Sequence, residues 1–390
     1  MTRPPVRGPQ YRASSRARPP APRSSTGPLA FLIAVAILVV ALLAVVRPLA
    51  EDAFVSYVAE HPTLLKQDVI RSLVAGRVSG EVDLARDIRG ETRPFVITRG
   101  ETAGEVAQRL ESEGVVRSAL AFEFVLYENG KEDALQSGTY QVSPALSPRD
   151  LARLFEKAPG DQVVLRVIEG WRLTEIAAAV EKALPRITKQ AFLAAAVVGD
   201  RKNAVLAGMD PKTPLEGFLF PDTYFLRPDA TAAQVVDTLL AQFEERDGAA
   251  LRAAASQRKT TVYDLVKLAS LVEREARDRS ESAIIAGVYQ NRLNIGMKLD
   301  ADPTIQYAKG DWAELTLDDL KIDSPYNTYI YAGLPPTPIC SPGQAALDAA
   351  ARPARHDYLF FVAKGDGTGQ HAFAKTLEEQ EANRVKYGNR

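Results

Sequence analysis

Hydrophobic and polar positions divide the chain into a polar N-terminal segment, a long apolar run and a mixed body. Residues 29–46, LAFLIAVAILVVALLAVV, form a run of eighteen residues that contains neither a charge nor a proline. As a helix rising about 1.5 Å per residue, this run would be about 27 Å long, close to the hydrocarbon thickness of a bilayer. After it, short apolar stretches alternate with amphipathic helical patterns. The pattern therefore predicts a single transmembrane helix at 29–46 followed by an α+β body.

Charges on either side of the apolar run predict its orientation. Residues 1–28 contain six arginines, seven prolines and no acid, which is typical of a disordered basic tail. Only Arg47 follows the run before Glu51 and Asp52, so the positive-inside rule places the tail in the cytoplasm and the body outside. A buried helix is one alternative. A cleaved signal peptide is another, although its apolar region is usually shorter and is followed by a small-residue cleavage site.

A weak internal repeat follows from residue 95 onward. FVITRGETAGEVAQRLESEGVVRSALAF (95–122) matches LRVIEGWRLTEIAAAVEKALPRITKQAF (165–192) at a constant offset of 70. Each copy predicts a short strand, a Gly turn, an amphipathic helix, and a second helix beginning at Ser118 or Thr188. Such βαα units resemble LysM modules, which bind glycans. The alternative is that two amphipathic segments match only because amphipathic patterns are alike.

The expected organisation is a stalk at 47–93 with a helix around VIRSLVAG, a LysM-like subdomain at 94–160, a second βαα copy at 161–200, and a larger mixed α+β domain at 201–390. The second copy is expected to pack on that larger domain. SGTYQVSPALSPRDLARLFEKA (137–158) predicts a strand pair and then a helix beginning at Ser147 and Pro148. LEGFLFPDTYFL (215–226) predicts a loop or edge strand, and YLFFVAK and HAFA predict two strands joined by a glycine-rich turn.

One carboxyl group lies where a hydrophobic residue would be expected. On a helical wheel of residues 262–279, Glu275 falls on the apolar stripe, whereas Glu273 lies at the edge of the opposite side. The stripe is formed by Leu265, Leu268, Leu271 and Val272. A partly desolvated carboxyl group has a raised pKa, as a general acid near neutral pH requires. The alternative is that Glu275 pairs with Arg279 or Arg292.

Composition excludes several other classes of function. A formal net charge of −1 provides no basic field for nucleic acid. One cysteine, Cys340, and three scattered histidines provide no metal-ligand spacing, so neither a metal nor another cofactor is expected. An SxxK match at Ser256 has no SDN or KTG downstream. Glu216, in an aromatic segment, needs a partner if it is buried.

Four blocks, in this order and spacing, resemble the YceG-like family, the endolytic murein transglycosylases. They are LASLVEREA (268–276), NRLNIGMKLDADPTIQYAKG (291–310), SPYNTYIYAGLPPTPICSPG (324–343) and YLFFVAKGDGTGQHAF (358–373). EGFLFPDTY (216–224) and SGTYQVSP (137–144) also match, so the similarity extends over about residues 94–390. The family shares the anchored layout, which implies a single-pass bacterial inner-membrane protein with a periplasmic catalytic domain at 201–390.

The resemblance implies cleavage of the β-1,4 bond between N-acetylmuramic acid and N-acetylglucosamine within nascent peptidoglycan strands. The product is a 1,6-anhydromuramyl end, and such cleavage would terminate glycan elongation. A single glutamate protonates the glycosidic oxygen and then accepts the proton of the muramyl 6-hydroxyl. The family's catalytic glutamate aligns with Glu275. Glycan strands are then the substrate, and peptidoglycan synthases are candidate partners.

The resemblance also suggests a set of substrate-binding residues, of which the six from Asp302 onward could instead cap or pin a loop. They are Glu216, Glu273, Asp302, Thr304, Gln306, Tyr326, Asn327 and Tyr329. Two other functions stay open. One is a hydrolase that uses Glu275 as acid and Asp302 or Glu216 as a second carboxylate. The other is a non-catalytic peptidoglycan-binding scaffold that uses the LysM-like copies.

Overall fold

The computed structural model describes residues 50–88, 90–160 and 162–388. Along the sequence, the chain divides into two compact units, with the boundary between Val78 and Ser79. The predicted tail at 1–28 and the predicted anchor at 29–46 lie outside the described residues. Among the helices that are described, none is long and apolar enough to cross a bilayer.

Helices form the first part of the described chain. Helix α1 occupies residues 50–60, a 3₁₀ turn spans Pro62–Lys66, and α2 spans Asp68–Val82. Helix α2 contains the stretch VIRSLVAG, so the helix predicted there is confirmed.

The next elements form a βααβ unit followed by a helix. They are β1 (Arg93–Ile97), α3 (Ala103–Ser112), α4 (Ala119–Glu128), β2 (Gly138–Val142) and α5 (Pro148–Phe155). Strands β1 and β2 are antiparallel, with Phe95 opposite Tyr140. The rings of Phe95, Phe122 and Tyr140 all pack around Phe155, with centroid distances of 4.8 to 6.0 Å. The expected strand pair within 137–158 is wrong, because the only strand there, β2, pairs with the distant β1.

A second unit repeats this order of elements. It consists of β3 (Val163–Arg166), α6 (Leu173–Ala183), α7 (Lys189–Ala195) and β4 (Thr223–Leu226), with β3 and β4 antiparallel. The helix starts predicted at Ser118 and Thr188 are confirmed, since each hydroxyl accepts the backbone N–H three residues later. Gly100 and Gly170 both have positive φ, at 89° and 78°. The two copies therefore share their local structure as well as their pattern.

The remaining elements are mainly helical. They are α8 (Ala232–Phe243), a π-helical turn (Glu244–Gly248), α9 (Ala249–Arg258), α10 (Val262–Glu275), α11 (Ser282–Asn294), α12 (Asp302–Lys309), α13 (Gln344–Ala351), β5 (Phe360–Ala363), β6 (His371–Ala374) and α14 (Leu377–Tyr387). Short 3₁₀ turns occur at Ala204–Leu206, Arg279–Glu281 and Asp319–Lys321. Strands β5 and β6 form the predicted hairpin. Helices and three two-stranded antiparallel sheets make the described part α+β, as expected.

Helix α10 holds the candidate site in place. Its predicted stripe is buried, with Leu265, Leu268, Leu271 and Val272 each 2% exposed or less. Burying each such side chain contributes about 1.5 to 3 kcal/mol. One continuous hydrophobic core joins this helix to the second βααβ unit and to α13. Helix α10 begins after the N-cap Thr261 and ends at Glu275, so the candidate acid is the last residue of a firmly packed helix.

Candidate active site

Glu275 is partly exposed at the end of α10. The hydroxyl of Tyr289, a buried residue of α11, donates a hydrogen bond to Glu275 Oε1 at 3.0 Å. Burial raises the pKa of Glu275 to about 7, the Tyr289 hydrogen bond acts in the opposite direction, and the nearby charge of Asp302 raises it further. A carboxyl group with this pKa exists in both protonation states at neutral pH, so it can donate a proton and later accept one.

Neither of the two arginines considered from the sequence pairs with Glu275. Arg279 contacts Glu169 instead. Arg292 is buried and donates to the carbonyl oxygens of Leu359 at 2.6 Å and Leu299 at 2.8 Å. The alternative that Glu275 belongs to an ion pair with either arginine is therefore wrong.

Asp302 and Tyr329 lie beside Glu275. Asp302 is exposed as the first residue of α12, and its Oδ1 accepts a hydrogen bond of 2.7 Å from the Tyr329 hydroxyl. Burial, this hydrogen bond and the charge of Asp302 together raise the pKa of Tyr329. Since the charge of Asp302 also acts on the pKa of Glu275, the structure brings Glu275, Asp302 and Tyr329 together at one surface.

Glu273 has a different partner from Glu275. Its Oε2 accepts the backbone N–H of Gly343 at 3.0 Å, and burial raises the pKa of Glu273. The carboxyl group therefore does not project into solvent from the outer edge of the helix. It ties the segment before α13 to the last turn of α10, next to the candidate acid.

Glu216 is buried and has the partners that its burial requires. Its Oε1 accepts the N–H of Leu173 at 2.9 Å, and its Oε2 accepts the hydroxyl of Tyr307 at 3.1 Å. Burial is the main cause that raises the pKa of Glu216 to about 8. The Tyr307 ring packs on that of Tyr326, whose hydroxyl lies 2.9 Å from Thr337 Oγ1. Neither Glu216 nor Tyr326 hydrogen bonds to Glu275.

Thr304, Gln306 and Asn327 use their polar groups to hold loops. Thr304 Oγ1 donates to the carbonyl of Ala301 at 2.7 Å, and Gln306 Nε2 donates to that of Ala313 at 2.8 Å. Asn327 is fully buried, and its Oδ1 accepts the N–H of Tyr329 at 2.9 Å. These contacts place Thr304 and Asn327 behind the loop that presents Tyr329, not on the open surface of the site.

Two features of the site had no signal in the sequence. One is Tyr289, which no motif or pattern distinguishes from the other residues of its segment. The other is a cation–π stack on Trp312, whose ring centroid lies 3.8 Å from the guanidinium carbon of Arg274 and 4.9 Å from that of Arg172. Arg274 lies between the two glutamates, so this stack determines where its charge sits.

Comparisons with known proteins agree with these observations. The model of the YceG-like family matches residues 95–386. A protein of Bacillus subtilis (strain 168) named endolytic murein transglycosylase is 33% identical over 294 residues, covering 71% of this chain and 80% of its own length. A protein of the same name from Streptococcus pneumoniae (strain D39) is 30% identical over 311 residues, and the match spans only 55% of its length.

A solved structure is also similar. The crystal structure of a YceG-like protein from Listeria monocytogenes has a TM-score of 0.51 and 31% sequence identity. That similarity covers 75% of this chain and 99% of the Listeria chain. The family match, which spans most of the chain, shows that this protein belongs to the YceG-like family.

Proposed function

We propose that this protein is an endolytic murein transglycosylase that cuts glycan strands of peptidoglycan and leaves 1,6-anhydromuramyl ends. The family and the names of its relatives support this function. The observation that carries it is the carboxyl group of Glu275, partly exposed and with a pKa of about 7. Transglycosylation needs only one such group, because the same residue is first acid and then base.

The reaction begins with protonated Glu275. Its proton passes to the glycosidic oxygen, the C1–O4 bond breaks, and positive charge develops at C1 of the muramyl residue. The muramyl 6-hydroxyl oxygen then attacks C1, and the Glu275 carboxylate accepts the hydroxyl proton. The acid is restored, one strand ends in an anhydro ring, the other has a free 4-hydroxyl, and no water is consumed.

Tyr289 and Asp302 act on the two states of the acid in opposite directions. The Tyr289 hydrogen bond stabilises the carboxylate formed after the first proton transfer, whereas the charge of Asp302 stabilises the protonated form. Asp302 is also the observation that favours the second candidate function, a hydrolase with two carboxyl groups. In that reaction water replaces the 6-hydroxyl as nucleophile, and the new end is a reducing sugar.

Replacing Glu275 with Gln tests the proposal. Wild-type protein should release fragments with anhydro ends from murein, and Glu275→Gln should lower the rate by about a hundredfold or more, because the proton donor is lost. Mass spectrometry of the fragments identifies the ends. Glu273→Gln is the matched control and should keep most of the activity, since Glu273 holds a backbone N–H.

Three results of this experiment would contradict the proposal. Reducing ends in place of anhydro ends would identify a hydrolase. Full activity of Glu275→Gln would exclude Glu275 as the acid. Binding to sacculi with no cleavage by wild-type protein would support a scaffold.

The membrane arrangement is part of the same proposal. Residues 29–46 would anchor the protein in the inner membrane, with residues 1–28 in the cytoplasm, the catalytic domain in the periplasm and synthases as partners. The charge difference across the apolar run supports this orientation. In spheroplasts, added protease should digest the body and spare a tag at the N-terminus. A protected body would reverse the orientation.

The two βααβ units support a glycan-binding role close to the membrane. We propose that residues 94–160 form a LysM-like subdomain and that the copy beginning at residue 161 is its counterpart, packed on the catalytic domain. The shared order of elements and the equivalent helix starts support this relation. Because the second copy shares its core with α10, it is built into the catalytic part of the chain.

A further inference from the structure

A groove of about 770 Å³ lies between the two βααβ units, and the proposed chemistry does not use it. Thr139, Tyr140 and Gln141 of β2 line one side, and Val163 and Val164 of β3 line the other. Successive residues of a strand face opposite sides of a sheet, so consecutive lining residues mean that the groove runs along the edges of both strands. We call it the edge groove.

Both strands have an edge available for hydrogen bonding. In the described chain, β2 pairs only with β1, and β3 pairs only with β4. The unpaired edge of such a strand presents backbone N–H and C=O groups to any extended ligand laid beside it. Amide groups of this kind are suitable partners for acetamido and hydroxyl groups.

The side chains in the edge groove indicate the class of ligand. Trp171 provides a flat aromatic surface in the lining. Gln162 Oε1 is buried and has no hydrogen-bond partner among the described residues. The charged side chains of the described lining are those of Arg166 and Lys182, both cationic. An aromatic ring, amide groups and cations together suit an N-acetylated sugar that carries carboxylates.

Trp171, in the lining of the edge groove, belongs to a turn that packs against the last turn of the catalytic helix. Gly170 N–H donates to the Ser341 carbonyl at 2.8 Å, and Ser341 N–H donates to the Trp171 carbonyl at 2.7 Å. A Cβ on Gly170 would lie 3.1 Å from Nη1 of Arg274, the residue before Glu275. From this turn the groove follows β3, whose four residues span about 13 Å at about 3.3 Å per residue. A strand bound at Glu275 could therefore continue into the groove.

We propose that the edge groove is an accessory binding site for the glycan strand that Glu275 cuts. A sugar ring stacks on Trp171, the acetamido groups hydrogen bond to Gln162 and the strand edges, and stem-peptide carboxylates face Arg166 and Lys182. Only a long glycan strand reaches from the edge groove to Glu275. A strand bound at both places is therefore cut at an internal bond and not at its end. This inference rests on the proposed function and identifies where its substrate extends.

Binding measurements test the edge groove without cleavage. The full chain carrying Glu275→Gln is titrated with un-crosslinked peptidoglycan strands that retain their stem peptides. Adding Gln162→Leu or Lys182→Glu should weaken binding about five- to tenfold. Gln257→Leu and Lys386→Glu make the same chemical changes at exposed positions outside the groove and outside both βααβ units, and should leave affinity within twofold. Melting temperatures verify folding, and Gln141→Ala replaces Gln162→Leu if that variant is unstable.

Strands stripped of stem peptides, with the lactyl carboxylates that stripping exposes blocked as methylamides, separate the two kinds of contact. Lys182→Glu should lose its effect on stripped strands, whereas Gln162→Leu should keep it. Unchanged binding by both groove variants, or an equal loss in the control variants, would overturn the proposal. An equal effect of Lys182→Glu on stripped and intact strands would also overturn the proposal.

A kinetic measurement distinguishes failure of the groove from failure of the function. With Glu275 intact, the groove variants should raise the KM for long strands about five- to tenfold, while the controls keep the parent's KM. If wild-type protein forms no anhydro ends, the proposed function is wrong, yet the binding results still decide the groove. If anhydro ends form and the KM does not change, the groove proposal alone is wrong.

Discussion

The hydrogen bond between Tyr289 and Glu275 acts on the protonation of the Glu275 carboxyl group, the proposed proton donor of the reaction. Burial raises the pKa of Glu275, and the Tyr289 hydroxyl partly offsets that effect, which leaves the pKa at about 7. Without the hydroxyl, the carboxylate would be less stable relative to the protonated form. The tyrosine is thus a positioning residue that also adjusts the pH range of the acid.

Tyr289→Phe tests this relation. Losing the hydrogen bond should raise the pKa of Glu275, so protonated acid should persist to higher pH. For wild type, kcat/KM should fall above about pH 7 as Glu275 loses its proton, and in the variant this fall should begin about one pH unit higher. The maximal rate should drop only several-fold. A pH profile from 5 to 9 gives the answer, and an unshifted alkaline limb would show that Tyr289 does not act on the acid.

At the scale of elements, the turn at Gly217 brings three segments together. Gly217 has φ of 86°, and a Cβ on it would lie 2.6 Å from Pro338 Cβ and 2.9 Å from Val266 Cγ1 of α10. Only a residue without a side chain allows this close approach. The preceding residue is Glu216, whose carboxyl group accepts a hydrogen bond from the N–H of Leu173, the first residue of α6. The turn therefore joins the second βααβ unit to the catalytic helix and to the loop before α13.

Gly217→Ala should lower the free energy of unfolding by about 2 to 4 kcal/mol, from the positive φ and the overpacking together. Gly296→Ala is the control, because Gly296 also has positive φ, 68°, but nothing lies within 4 Å of its Cβ position. That change should cost only about 1 to 2 kcal/mol. Urea unfolding compares the two. Equal losses would mean that the close approach contributes nothing.

Elements differ in how far local sequence predicts them. Helix starts at Ser118, Ser147 and Thr188 were predictable because the cap joins residues only three apart. The pairing of β1 with β2 was not predictable, because Phe95 and Tyr140, which lie opposite each other in the two strands, are distant in sequence. A strand pattern shows that a segment needs a partner but does not identify it.

For the molecule as a whole, buried carboxyl groups link stability to pH. Burial raises the pKa of Glu123, in α4, to about 7 and is the main cause that raises that of Glu216 to about 8. Folding therefore favours their protonated forms. The resulting stability is present below the unfolded pKa of about 4.5 and is lost as pH rises through 7 to 8. The protein should thus be less stable at pH 9 than at pH 6.

Glu123→Gln should remove part of the loss of stability at high pH. Glu123 is 3% exposed and its Oε2 has no hydrogen-bond partner in the described chain. At pH 8.5 the variant should be about 1 to 3 kcal/mol more stable than wild type, and at pH 5.5 the difference should shrink. Thermal melts at both pH values measure it. Glu378→Gln, at an exposed position, is the control, and an identical pH response of both variants would contradict the assignment.

The sequence by itself determined the features that depend on neighbours within about two helical turns. Caps, the apolar stripe and the pattern within each copy of the repeat are local, so they separated Glu275 from Glu273 and outlined the βαα part of both units. Only tertiary structure decided the partners of the site. Tyr289 lies 14 residues from Glu275, Tyr329 27 from Asp302, and Gly343 70 from Glu273. Such contacts, and the edge groove between β2 and β3, arise when packing brings distant segments together, and no local pattern encodes them.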